Sequence, residues 1–393
     1  MRKLFPELLA CWQSGIMAAL LSCTLALTPL SCAAAPASIE LGSPLDLQVF
    51  QRETKGFGKV LIEGVVTAQN VRTNEVRLEA RFTGALPSGE SEWRALPLDL
   101  RVRRFRAELP VASGGWYHLT VRLVDGPQTL AQVAVEHVGV GEIFVIAGQS
   151  NSANHGEERQ RPKSPLVVAR AKGKWQPADD PQPGASGSGG SFIPAFGDAM
   201  AARFKVPIGL VTCGVGATSV REWLPKGEPM AAPPTTGAHT YATGSNAWAS
   251  TGELFDKLVS TQQPARFRAL LWHQGESDNH QPLGREISPS LYRTYLQRVI
   301  ESSRAQLGWH VPWFVALASY HTPDDPGSPE LRTAQKSLIA DGVAVEGPNT
   351  DELGPEFREN KGRGVHFNAQ GLQKHGLLWA EKVAPWLEAQ LGR

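Results

Sequence analysis

Four short segments of this chain place nucleophilic, basic or acidic side chains where apolar runs stop. In Ile143–Asn151 five apolar or small residues lead straight into Gly148, Gln149, Ser150 and Asn151, the pattern of a strand buried on both faces that ends in a polar turn. A serine delivered to the carboxyl end of such a strand is placed to act as a nucleophile. One serine in such a turn is ordinarily structural, so the partners decide. Gly214–Trp223 offers a glycine, Gly216, whose N–H could join that of Ser150 as a donor to an oxyanion. His273–Asp278 crowds a histidine, an amide and two carboxylates together, a costly choice for packing alone, although Glu276, Ser277 and Asp278 would also suit a helix N-cap. Gly364–Gly371 contains His366, which could take the proton of Ser150 if a carboxylate fixes its tautomer.

These segments need a frame that brings strand ends together. Apolar runs at Ile143–Ala147, Ile208–Cys213, Ala269–Trp272, Trp313–Ala318 and Val343–Val345 alternate with helical patterns at Pro194–Phe204, Gly252–Ser260, Ser288–Gln306, Glu330–Ala340 and Ala369–Leu391. Such alternation predicts an α/β domain, a doubly wound, flavodoxin-like parallel sheet covered by helices on both faces, over residues 141–393. Ahead of it, residues 38–140 read as a small all-β sandwich of short strands between turn-rich pieces. The pattern changes at Val138-Gly139-Val140-Gly141. Two stretches, Gln182–Ser191 and Lys226–Ser250, read as loops long enough to be functional.

Composition narrows the partners. Lys+Arg 39 against Asp+Glu 38 gives a formal net charge of +1, with no electrostatic case for nucleic acid or an anionic membrane. No repeat or heptad run points to an oligomeric state. Arg2 and Lys3, the apolar run Ile16–Leu30 and the small residues after it form the layout of a secretory signal peptide over residues 1–37, too short and interrupted for a membrane span. Export to the periplasm or medium is expected, with lipid anchoring at Cys32 the lesser alternative. Three of the four cysteines fall in this leader, so Cys213 is left without a disulfide partner.

Taken together, the four segments resemble the SGNH hydrolase superfamily, and within it the sialate O-acetylesterase-like branch that includes acetylxylan esterases. The residues that carry the likeness are Gly148-Gln149-Ser150-Asn151, Gly216–Val220 with Trp223, Trp272–Ser277, and His366-Phe367 with Gly371. The resemblance implies an exported serine esterase that removes O-acetyl groups from a carbohydrate through an acetyl-enzyme, with no cofactor and no metal. It implies Ser150 as nucleophile, His366 as base, the Ser150 and Gly216 N–H groups with Gln274 at the oxyanion, and Glu276 as the acid. Gln149, Asn151, Arg221 and Trp223 are the candidates for holding the sugar. Two departures stand out. Gly216-Ala217-Thr218 replaces the common Gly-Gly-Thr, and Arg363 occupies the position three residues before the histidine where many members carry the acid. Asp351 is the alternative acid.

Other readings fit less well. An α/β-hydrolase elbow would need glycine where Ser152 stands, and a dinucleotide loop would need a third glycine where Ser219 stands. Of ten histidines, none lies at ligand spacing for a metal hydrolase. A non-catalytic carbohydrate-binding protein on the same scaffold is the alternative from another class.

Overall fold

The computed structural model describes residues 37–68, 76–84, 91–99, 101–234, 239–245, 247–262 and 266–392. The expected leader, Cys32 included, lies outside them except for Ala37. Among the described residues no helix is long and apolar enough to cross a membrane.

Period-two alternation builds the mostly-β N-terminal region. Its strands are β1 (Ser38–Ser43), β2 (Gln48–Gln51), β3 (Phe57–Thr67), β4 (Val76–Gly84), β5 (Arg94–Leu96), β6 (Leu98–Asp99), β7 (Arg104–Ala112), β8 (Trp116–Asp125) and β9 (Gln128–Gly148). β1, β3, β7 and β6 form one sheet, while β4 pairs with β5 and β8, and β8 with β9. Val60, Ile62 and Phe105 from the first sheet share a core with Leu78, Phe82, Leu119 and Val138 from the second.

β9 runs without a break across the expected boundary. Residues 128–139 pair antiparallel with β8, and residues 142–148 pair parallel with the strands of the α/β region. The change in pattern at Val138 is real, because from there every residue of β9 is buried. It marks passage into a sheet covered on both faces, and the strand itself continues. Glu142, fully buried on β9, accepts from Arg52 Nε at 2.5 Å and Arg268 Nε at 2.6 Å, tying the β-rich region to the sheet.

The α/β region continues with β10 (Val167–Ala171), β11 (Lys174–Pro177), α1 (Ile193–Phe204), β12 (Ile208–Thr212), the small sheet β13 (Pro229–Met230), β14 (Thr240–Gly244) and β15 (Ala247–Ser250), α2 (Glu253–Gln262) and β16 (Ala269–His273). After them come α3 (Glu276–Asn279), α4 (Pro289–Leu307), β17 (Trp313–Leu317), α5 (Pro329–Ala340), β18 (Val345–Asn349), α6 (Glu359–Gly362), a tight turn whose inner residues Asn360 and Lys361 have non-helical backbone, and α7 (Ala369–Leu391). The mixed sheet has the order β11-β10-β12-β9-β16-β17-β18, with β11 antiparallel and the rest parallel. Alternate residues of β9 point to opposite faces. Ile143, Val145 and Ala147 join a core with α2, α4 and α5, whereas Phe144 and Ile146 join one with α1 and α7.

The five expected helices are present. The last expected strand, Val343–Val345, lies instead at Val345–Asn349, and part of the expected loop Lys226–Ser250 forms β13–β15. That small sheet has an exposed outer strand with no apolar alternation to announce it.

Candidate active site

Ser150 begins a 3-10 turn directly after β9. The strand can end there because Gly148 takes a φ of 123°, and a Cβ at that position would collide with the His273 carbonyl on β16. Among the described residues, neither the amide nor the hydroxyl of Ser150 has a hydrogen-bond partner. Its neighbours are fully engaged.

The Gln149 side chain accepts from the Gly275 N–H at 3.3 Å and the Ser277 N–H at 3.0 Å, capping the turn that follows β16. Gln274 donates to Thr218 O at 3.2 Å and to Asp278 at 2.6 Å. Asp278 in turn accepts from Ser219 and from the Val220 N–H. Arg221 donates to Ser219 and to the carbonyls of Ala232 and Arg285, and Trp223 donates to Thr218. All five residues are buried. Gln149, Arg221 and Trp223, expected to hold a sugar, and Gln274, expected at the oxyanion, therefore brace strand ends against one another. Buried polar groups call for partners, and these motif residues supply them to one another, although Gln274 Oε1 has none among the described residues.

Asn151 has a different task. Its amide donates to Glu276 Oε1 at 2.8 Å and to Val365 O at 3.2 Å. Arg358 Nη1 donates to the same carbonyl at 2.8 Å while its guanidinium lies 4.1 Å from the ring centres of both Tyr320 and Phe367. The segment carrying His366 is thus drawn toward the end of β9, and Ser150 and His366 each adjoin a partner in one hydrogen bond.

The carboxylate against His366 is Glu359. Its Oε1 lies 2.7 Å from Nδ1 of the ring, and the Glu359 N–H donates to the His366 carbonyl at 2.9 Å. With the carboxylate accepting, Nδ1 carries the proton and Nε2 is the basic nitrogen. Glu276 and Asp351, the acids expected from the sequence, do not contact His366. Glu276 is buried beneath Asn151, with His273 Nδ1 at 3.5 Å. Asp351 accepts from the Ser319 and Tyr320 amides and from Arg332 at 2.6 Å. Arg358↔Phe367 bridging and left-handed backbone at Asn360, Lys361 and Gly362 fold the chain back so that a residue seven positions earlier meets the ring.

Two further residues had no sequence signal. His155 lies with its ring 5.4 Å from that of His366, and its Nε2 is 3.0 Å from Ser186 Oγ. Burial, and secondarily the charge of His366, lowers its pKa. The Gly216 N–H, expected to face an oxyanion, donates to Ser186 Oγ at 2.7 Å, and a Cβ on Gly216 would come within 2.7 Å of His155 Nε2.

Beneath the site two imidazoles are buried and neutral. Burial holds His273 down to about 3, and holds His375, enclosed by Phe192, Phe367 and Trp379, well below its ordinary value. As pH falls below about 6.5 the unfolded chain binds protons that these rings refuse, so each removes up to about 1.4 kcal/mol of stability per pH unit. Glu276 and Asp278, raised by burial, act oppositely, weakening the fold as pH rises above the ordinary carboxylate range. Comparing wild type with His375→Gln isolates one ring. Denaturant unfolding between about pH 6 and 4.5 should show the variant's stability falling less steeply, by about 1.4 kcal/mol per unit; equal slopes would refute neutral burial of His375.

Comparison with known proteins adds the family. The model of a carbohydrate esterase family, sialic acid-specific acetylesterase, matches residues 140–385. Among solved structures, a carbohydrate acetylesterase from Xanthomonas citri is similar at 17% identity, covering 86% of this chain and 72% of that one with a TM-score of 0.52, which speaks to the fold. NanS, at 14% identity, covers 63% of this chain and 98% of that one with a TM-score of 0.41, and a protein from Arabidopsis thaliana, at 18%, covers 61% and 96% with 0.42. No match was found among curated proteins.

Proposed function

The chain belongs to the carbohydrate esterase family of sialic acid-specific acetylesterases, and on that premise we propose that it is a serine enzyme removing O-acetyl groups from a sugar or polysaccharide. Carboxylic ester hydrolysis follows from the family. The serine mechanism rests on one observation, the Glu359–His366 pair drawn to the strand end that carries an unpartnered Ser150. His366 Nε2 takes the Ser150 proton as Oγ attacks the acetyl carbonyl, and Glu359 stabilises the imidazolium. The imidazolium then protonates the departing sugar hydroxyl, and water, activated by the same ring, releases acetate.

We read β12, β9, β16, β17 and β18, with helices on both faces, as a doubly wound flavodoxin-like sheet. In that winding, ligands sit at the carboxyl edge where the strand order reverses, which here falls between β9 and β16. The oxyanion is held first by the Ser150 N–H. The Gly216 N–H joins it when the Ser186 hydroxyl gives way to the substrate oxygen. Ser186→Ala should then keep kcat within a few-fold, whereas a loss of about 100-fold would make the hydroxyl itself the donor.

Acetate release from O-acetylated sialic acid, acetylated xylan and acetylated peptidoglycan tests the substrate class. Release from none of these, with a simple acetyl ester also untouched, would favour the non-catalytic binding protein. Export is part of the same reading, and N-terminal sequencing of the mature protein, expected to begin near Ala34–Ser38, tests it.

A further inference from the structure

The loops that follow β16 and β17 meet beside the site in a group the ester chemistry does not use. His280 and His321 stack with ring centres 3.8 Å apart and planes 17° from parallel. The Nδ1 atoms of both face one carboxylate oxygen, Asp325 Oδ2, at 3.2 Å from His280 and 3.8 Å from His321. Asp325 is itself held. Its N–H donates to Thr322 O at 3.0 Å, its carbonyl accepts from the His321 N–H at 3.1 Å, and its Oδ1 accepts from Asn279 at 3.4 Å. The Asn279 amide also donates to Ser319 O at 3.0 Å, joining the two loops.

A single ion pair would not need two parallel imidazoles, which repel one another when both are protonated. One ion can take a nitrogen from each ring once a turn about the side-chain torsion brings both lone pairs, now in nearly parallel planes, onto it. One ligand atom from each of the three residues can be chosen so that all lie within 4.8 Å of one another. Four-coordinate zinc, with metal–ligand bonds of about 2.1 Å, holds its ligand atoms about 3.4 Å apart, and the two nitrogen–oxygen separations fall on either side of that spacing. Two imidazoles and one carboxylate suit zinc and its neighbours, whereas calcium and magnesium take oxygen alone. Side-chain exposures of 58% for His280, 31% for His321 and 37% for Asp325 leave solvent free to complete the coordination.

We propose that His280, His321 and Asp325 bind one borderline divalent transition cation of the zinc type, clamping together the loops after β16 and β17. Sequence spacing conceals this site because the two histidines come from different loops. The cation takes no part in the Ser150 chemistry, so its binding can be tested without an activity assay.

Full-length protein stripped with chelator is titrated with Zn2+ by calorimetry and with Co2+ by visible absorption. The expected result is one ion per chain, the absorption bands of four-coordinate cobalt, and a rise in unfolding temperature on adding Zn2+. His321→Ala and Asp325→Asn, at part-exposed positions, should each weaken binding at least about 100-fold and lose the thermal shift, while His366→Ala retains both. Failure to bind near-millimolar Zn2+, unchanged affinity in His321→Ala, or loss of binding in His366→Ala would each overturn the proposal.

Discussion

Ser150→Ala is expected to lower kcat for an acetyl ester by about 10^4- to 10^6-fold with little change in KM, since in the proposed mechanism the residue supplies the attacking atom and little of the binding. The fold should be indifferent to the change, because Ser150 makes no side-chain hydrogen bond among the described residues, and such a truncation costs about 1 kcal/mol or less. Unchanged circular dichroism and unfolding temperature would separate lost chemistry from lost structure. Nucleophile and base work as one unit, so Ser150→Ala combined with His366→Ala should be scarcely slower than Ser150→Ala alone. Activity within tenfold of wild type in the single variant, measured with a chromogenic acetyl ester, would exclude Ser150 as the nucleophile.

The second large effect falls on Glu359. Its carboxylate, 2.7 Å from His366 Nδ1, selects the tautomer that leaves Nε2 basic and, in the proposed mechanism, stabilises the imidazolium formed during attack. An amide there fails at the second task and admits the wrong tautomer, so Glu359→Gln should reduce kcat about 10^3- to 10^4-fold. Glu276→Gln should reduce it less than about tenfold, because burial already raises the pKa of Glu276 toward its neutral form and its bond is to Asn151. Asp351→Asn should act on stability, costing about 3 kcal/mol by leaving Arg332 without its buried partner. Measured side by side, the three variants assign the acid. A large loss confined to Glu276→Gln would restore the assignment expected from the sequence.

The family is legible in the amino-acid sequence alone, as are the strand-end positions of Ser150 and His366 on which the proposed mechanism rests, for a local reason. An apolar run that stops at Gly148, or a glycine-rich turn at Gly214–Gly216, is a property of neighbouring residues, and so is the alternation of strands and helices that sets strand ends on one edge of a sheet. Motif membership does not reveal what each side chain touches. Gln149, Gln274, Arg221 and Trp223 stand in the motifs that carry the resemblance, and they are buried braces between strand ends. Glu359 is invisible in the sequence for the opposite reason. It lies outside every motif, and it reaches His366 only because left-handed turns and the Arg358↔Phe367 bridge fold the chain back on itself. The stacking of His280 on His321 likewise depends on two separate loops. Side-chain type and strand endings are encoded locally, whereas the partner of a charged group is set by chain reversal and burial, which arise only when distant segments pack.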